Sequence, residues 1–240
     1  MDKNKLKKAF KTAFPYTVPI LAGYFFFGLT YGIYAKASGF SLLYPLLLSV
    51  IIYAGSMEFL TITLLLSKFN PVQAFLLTLV INARHIFYGI AMLHKYKNLG
   101  LKKSYIIFGL CDETFSINYS AKIPEDVDKG YFIFFVTMLN HLYWVVSSII
   151  GSLIGNFIFF NTKGIEFVLT SMFVIIFIEQ WLKDKDHTSS ILGLIVSIFC
   201  LIIFGKNNFI IPSMLLIFTI LTIFRKPLER RVLWLSQNSL

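Results

Sequence analysis

The sequence predicts an all-α integral membrane protein, and three observations carry that prediction. Of the 240 residues, 57% are hydrophobic and 14% charged, where water-soluble domains carry about 25% charged residues. The apolar residues fall into about eight continuous runs, without the alternation of apolar and polar positions that a membrane barrel needs. The 22 Lys and Arg, which leave a net charge of +10, gather at the ends of those runs. There they set topology rather than form a nucleic-acid-binding face.

Taken in order, the runs cover residues 15–35, 42–66, 72–93, 104–120, 131–160, 164–182, 189–204 and 208–224. About 20 apolar residues cross a bilayer. By that measure the first three runs, the fifth and the sixth are long enough, and the last two are short but adequate. The fourth is short and carries charge, which makes it the weakest span. Six to eight crossings are expected.

Residues 1–14 place Leu6, Ala9, Phe10 and Ala13 at helical spacing opposite lysines, the pattern of a basic amphipathic segment at the interface. Residues 15–224 read as one membrane transport domain and 225–240 as a basic cytoplasmic tail. The lysine-rich start, the apolar run and Ala35-Lys36-Ala37 imitate a signal peptide. A run of about 20 residues nevertheless exceeds the usual apolar region of about 7–15, so the first segment is expected to be retained. Cys111 and Cys200 each sit in apolar runs and suggest neither a disulfide framework nor a redox or metal motif.

Lysines at the start and Arg225, Lys226, Arg230 and Arg231 at the end place both termini in the cytoplasm. If all eight runs cross, Lys95, Lys97, Lys102 and Lys103 fall on the wrong side. If instead 72–93 and 104–120 enter and return, those four lysines join the termini. Broken backbone at membrane depth must line a cavity or be buried in protein, so this second scheme predicts a site there. A weak internal repeat is also visible: Gly28 and Gly32 recur as Gly151 and Gly155, and the stretch from Ile51 to Glu58 resembles that from Ile175 to Glu179. Small residues four apart serve most often in close helix packing.

Charge in the middle of a membrane helix needs a partner or a use. Four groupings stand out: Tyr53-Ala54-Gly55-Ser56-Met57-Glu58-Phe59; Asn82-Ala83-Arg84-His85; Asp112-Glu113-Thr114; and Asn140-His141 with Glu166 and Glu179. Arg84 stays charged in any protein environment, so it requires a negative partner. Asp112 and Glu113 are the candidates; adjacent residues point to different sides of a helix, so one of the two faces it. The pair either fastens two helices or lines a polar cavity that accepts a zwitterion or a proton. His85 and His141 read as hydrogen-bonding groups, and no metal-binding spacing accompanies them.

These motifs, with Pro15-Tyr16, Gly28-x3-Gly32 and Ser49 ahead of them and Phe115 behind, resemble the AzlC family in order and spacing. That family forms the large subunit of bacterial branched-chain amino acid exporters. The resemblance is specific through Phe115 and rests on segment pattern alone thereafter. Two positions depart from the family's usual pattern: Glu58 stands where glutamine is more usual, and Cys111 where threonine is. The resemblance implies export of leucine, isoleucine, valine or analogues, with a small AzlD-type membrane subunit as partner, no cofactor and no enzymatic activity.

A zwitterion with an apolar side chain needs a cation for its carboxylate, an anion or carbonyls for its ammonium, and an apolar pocket. On that basis Arg84 and Asn82 are the candidates for the carboxylate, with Gly55 and Ser56 offering backbone groups at a helix break. Tyr53, Phe59 and Phe87 would shape the pocket, and Glu58 is counted with the substrate site. Asp112, Glu113 and His85 are candidates for ammonium recognition or proton coupling. The competing readings are a channel or non-transporting scaffold and, further off, an intramembrane enzyme using Glu58, His85, His141 and Asp112.

Overall fold

A computed structural model describes residues 3–68, 70–97, 99–157 and 186–224, together with 167, 171, 174, 177, 178, 181 and 182. The chain divides into two compact units, residues 1–169 and 170–240. All regular structure among the described residues is helical. In the first unit the helices are α1 (Lys3–Ala37), α2 (Leu43–Ile51), α3 (Gly55–Leu66), α4 (Pro71–Asn82), α5 (Arg84–Met92), α6 (Lys102–Phe108), α7 (Asp112–Ser120) and α8 (Lys129–Ile154).

Helices α1 and α8 form the frame. They run parallel: Tyr16 meets Phe132 with ring centroids 5.6 Å apart at one end, and Gly155 lies against Lys36 at the other. The end holding the start of α1 is the base, and the opposite end the top. Small residues let the two backbones touch. A Cβ on Gly32 would stand 2.1 Å from the Ser148 carbonyl oxygen, and one on Gly151 would stand 2.2 Å from that of Leu29. The glycines that resemble a repeat in the sequence are thus the two faces of one helix crossing.

At 35 residues α1 is about 52 Å long, well beyond the roughly 30 Å of a bilayer core. Its first turns therefore stand clear of the core as a continuation of the same helix. Ala9 and Ala13, fully buried, pack into a cluster with Met92, Tyr96, Ile106, Ile117, Val127 and Phe132. The apolar face of residues 3–14, expected to meet lipid, is covered by the connectors around 93–101 and 121–128 instead. Lys8 pairs with Asp126, and the Tyr16 hydroxyl donates to the Lys122 carbonyl at 3.3 Å.

Between the frame helices the chain follows a path that the sequence only half predicts. A tight turn at positive-φ Gly39 (φ 89°) starts α2 at the top. It descends to Ile51, breaks, and returns as α3. Phe59 packs on Tyr31 and Tyr34 at 5.3 and 6.0 Å, and Thr63 bonds the Tyr34 hydroxyl at 2.9 Å. Run 42–66 is therefore a hairpin whose two ends both lie at the top. Helices α4 and α5, interrupted at Ala83, pass from top to base, where Met92 joins the basal cluster.

From the base, Lys102 lies over the Tyr131 ring at 3.3 Å and α6 rises until Gly109 meets Thr137 in the middle of α8. Then α7 returns, and Lys95 donates to the Asn118 carbonyl at 3.0 Å near its end. Run 104–120 is thus a second hairpin, dipping from the opposite end. Run 72–93, expected to return in the second scheme, passes through. Either arrangement brings Lys95, Lys97, Lys102 and Lys103 to the end that holds Lys3–Lys11, so charge alone does not choose between them.

The second unit holds α9 (Thr188–Asn208) and α10 (Ile210–Ile223), matching runs 189–204 and 208–224. Gly205 (φ 71°, ψ 172°) breaks the end of α9. Among the described residues, three helices are long and apolar enough to cross a membrane: Lys3–Ala37, Lys129–Ile154 and Thr188–Gly205. Most of run 164–182, including Glu166, Ile175, Ile176 and Glu179, and the tail 225–240 fall outside the described residues.

Candidate functional site

The tips of the two hairpins meet beside the interruption in α4–α5. At each tip a half-helix begins inside the protein, so its first backbone N–H groups lack partners within the helix and its positive dipole end faces inward. Both half-helices answer this with acidic first turns: Glu58 in α3, and Asp112 and Glu113 in α7.

At the upper tip, Tyr53 adopts a positive φ of 47°, a conformation that is costly for a bulky residue. Its ring is held 4.4 Å from that of His141, and its hydroxyl lies 3.8 Å from the Cys111 sulfur of the lower tip. Glu58, wholly buried, accepts the Trp144 Nε1–H at 2.9 Å and the Ala54 N–H at 3.1 Å, both on Oε1. Its Oε2 is buried without a partner. A Cβ on Gly55 would stand 3.0 Å from the Trp144 ring, so Gly55 serves close packing against that indole. Ser56 is buried on the next position of the same turn.

At the lower tip, Arg84 Nη2 reaches Asp112 Oδ2 at 2.9 Å. Of the two adjacent carboxylates it is therefore Asp112 that faces the arginine. Glu113 points elsewhere and accepts the Tyr24 hydroxyl at 2.8 Å. The pair is only partly covered, with the two side chains 32% and 24% exposed. Arg84 Nε, Asp112 Oδ1 and the neighbouring Asn82 Oδ1 are buried without hydrogen-bond partners. One donor and two acceptors thus surround a partly open ion pair, the complement that an amino acid's charged groups require. The Tyr88 ring stacks on Phe115 at 4.4 Å nearby.

Thr114 fastens this tip. It accepts the Cys111 N–H at 2.8 Å and donates to the Gly109 carbonyl at the same distance, satisfying backbone groups that the break exposes. Cys111, as the residue ahead of the half-helix, brings its sulfur to 3.3 Å from the Tyr24 hydroxyl.

His141 is a strut between elements. His141 Nε2 lies 3.1 Å from the Ser49 carbonyl and Nδ1 lies 2.9 Å from the Tyr105 hydroxyl. A carbonyl only accepts, so Nε2 donates and Nδ1 accepts, and one ring ties α2, α6 and α8 together. His85 Nδ1 donates to the Asn82 carbonyl at 3.1 Å within its own turn and faces Tyr88. Asn140 is fully buried with both amide atoms unpartnered. No group of three or more potential metal ligands occurs among the described residues.

Three residues at the core of this arrangement do not stand out in the sequence: Tyr24, Trp144 and Tyr31. Each reads as an ordinary membrane aromatic. Trp144 sits three residues after His141, so it shares a helix face with a grouping already marked as polar; that spacing is the signal that would have found it.

The sequence profile described as AzlC protein matches residues 19–158, which contain both hairpins and the ion pair. A Bacillus subtilis (strain 168) protein named branched-chain amino acid transport protein AzlC is 55% identical, covering 95% of this chain and 90% of its own length. An uncharacterized membrane protein of Haemophilus influenzae is 48% identical over 95% of this chain and 94% of its own. Inner membrane protein YgaZ of Escherichia coli K12 is 25% identical over 73% of each. No solved structure matches the chain. The profile spans more than half of the chain and the Bacillus relative nearly all of it, over the residues that build the site: the chain belongs to the AzlC family.

Proposed function

We propose that this chain is the large subunit of a secondary transporter that exports branched-chain amino acids from the cytoplasm by alternating access, with a small AzlD-type membrane subunit. The observation that carries the reading is the partly open Arg84–Asp112 pair, set between opposed hairpin tips and ringed by unused polar atoms. Arg84 and Asn82 take the substrate carboxylate, and Asp112 takes the ammonium. Glu113 and His85 assist ammonium binding or coupling, and the upper tip with Tyr53, Gly55 and Ser56 closes over the apolar side chain. The name of the 55%-identical relative supports the choice of substrate.

Orientation follows from charge. Lys3, Lys5, Lys7, Lys8, Lys11, Lys95, Lys97, Lys102, Lys103, Lys122 and Lys129 lie at the base of the first unit, against Lys36 and Lys68 at the top. The base is the cytoplasmic end in this reading, in the inner (plasma) membrane. A cysteine at position 97 should then resist a membrane-impermeant reagent added outside.

Leucine counterflow in proteoliposomes, with the small subunit present, tests the proposal. Wild type exchanges labelled leucine and Arg84→Ala does not, while inserting normally. Arg84→Lys is also impaired, because a point charge does not reproduce the planar fork. Normal counterflow by a well-folded Arg84→Ala protein removes Arg84 from the site, and absence of counterflow in wild type favours a channel or scaffold.

A further inference from the structure

We propose that Glu58 is a proton-binding site, separate from the Arg84–Asp112 pair, and that its proton holds the α2–α3 tip closed against Trp144. The coupling half of this inference rests on the transporter reading above; the proton site does not.

The geometry is that of a neutral carboxyl group. Oε1 receives two donors, the Trp144 indole and the Ala54 N–H, as a carbonyl oxygen would. Oε2 is buried with no partner, which leaves room in the bonding scheme for one hydrogen. Among the described residues no cation pairs with it. The described ion pairs are Lys8–Asp126 and Arg84–Asp112, and neither includes Glu58.

Among the described residues the elements packed against α3 offer no countercharge. From α1 the facing groups are Tyr31 and Tyr24, which pack on Trp144 at 6.0 and 5.5 Å, and Tyr34, bonded to Thr63. From α8 come Trp144, His141, which is committed to Ser49 and Tyr105, and Tyr143, bonded to Thr17. Helix α2 carries only the exposed Tyr44, and α4 has no titratable residue.

An ionised carboxylate in such a place is penalised heavily unless it is paired or hydrated. The proton that Glu58 binds comes from water and returns to it, with no other bond formed or broken. When it leaves, the charge on Oε2 demands water, and water reaches it only if the tip separates from the indole that lies on Gly55. Proton release and tip opening are therefore one event.

Infrared difference spectroscopy of the purified protein in lipid, in H2O and D2O, reads this directly. Wild type should show the C=O stretching band of a protonated carboxyl group, and Glu58→Gln should lose it. A Glu58→Gln spectrum identical to wild type in that region overturns the proposal. Should that variant fold poorly, Trp144→Phe decides: losing one donor to Oε1 should move the band to higher wavenumber, and an unmoved band overturns it. In proteoliposomes the stimulation of net leucine export by a pH gradient should be lost in Glu58→Gln; full stimulation overturns the coupling. If the band behaves as expected while wild type moves no leucine, the transport reading fails and the proton site stands.

Discussion

The two hairpins use one device with opposite electrostatic completions. Each starts a half-helix inside the protein and sets carboxylates in its first turn. In α6–α7 the first acid of the half-helix, Asp112, is met by a fixed cation, Arg84, and the pair stays partly exposed. In α2–α3 the acid, Glu58, is sealed beneath Trp144 with no ion-pair partner among the described residues. A carboxylate with a permanent partner can exchange that partner for a ligand. One without a partner is left to exchange a proton. In the proposed reading the difference separates a place for a zwitterion from a place for coupling, the two tips meeting across the Tyr53–Cys111 contact.

The most damaging way to break the contrast is to strip the lower hairpin of its anion. Asp112→Asn leaves Arg84 uncompensated. A fully buried pair broken this way costs about 3–5 kcal/mol, and partial exposure should reduce the loss here to about 2 kcal/mol. Thermal unfolding in detergent measures it, and a double Arg84→Gln/Asp112→Asn variant should regain most of the stability without regaining transport.

Next come the tips themselves. A methyl on Gly109 would stand 2.2 Å from Thr137 Cγ2, whereas one on Gly55 would meet the Trp144 ring at 3.0 Å. Overpacking costs about 1–3 kcal/mol, so Gly109→Ala should fall near the top of that range and Gly55→Ala near the bottom. Thr137→Ser should rescue the first and leave the second unchanged. Both effects appear in unfolding temperature.

A smaller effect sharpens the assignment of Glu113. Tyr24→Phe removes the hydroxyl that Glu113 accepts and should cost about 1 kcal/mol while leaving substrate affinity nearly intact, since Arg84 and Asp112 keep their contact. A strong loss of leucine affinity would instead place Glu113 beside the substrate.

The smallest effect lies at the base, where Lys8 holds the Asp126 carboxyl below the usual aspartate range. A lowered folded-state value stabilises above the unfolded-state value and fades as pH falls through the folded one. Asp126→Asn should therefore change unfolding temperature slightly near neutral pH and not at all in strong acid.

Much of this was legible in the sequence, for identifiable reasons. Continuous apolar runs declare helices in lipid, and Arg84, charged under all conditions, announces an acidic partner somewhere in the membrane. The direction of the chain was not legible. Run 42–66 is long enough to cross and apolar enough to cross; only the small residues Ala54, Gly55 and Ser56 hint at the break, and nothing local says that α3 turns back. Under the second scheme lysine counting groups Lys95, Lys97, Lys102 and Lys103 with the N-terminus, and the structure sets them at that end. The counting does not say which neighbouring run returns, because the two schemes differ only in the side taken by Lys68. The cage around Glu58 was equally hidden, since Trp144 and Tyr31 come from helices distant in sequence and acquire their role by packing.

The position of α8 along the chain has a consequence for how the protein is made. Both hairpins are synthesised before it, yet it supplies their seats: Trp144 for Glu58, His141 for Ser49 and Tyr105, Thr137 for Gly109. Until residues 129–154 leave the ribosome, two half-helices too short to span the bilayer alone have nowhere to settle. Biogenesis must keep both sheltered, and a nascent chain released before α8 should be recognised as unfinished by membrane quality control rather than persist as a partial pore.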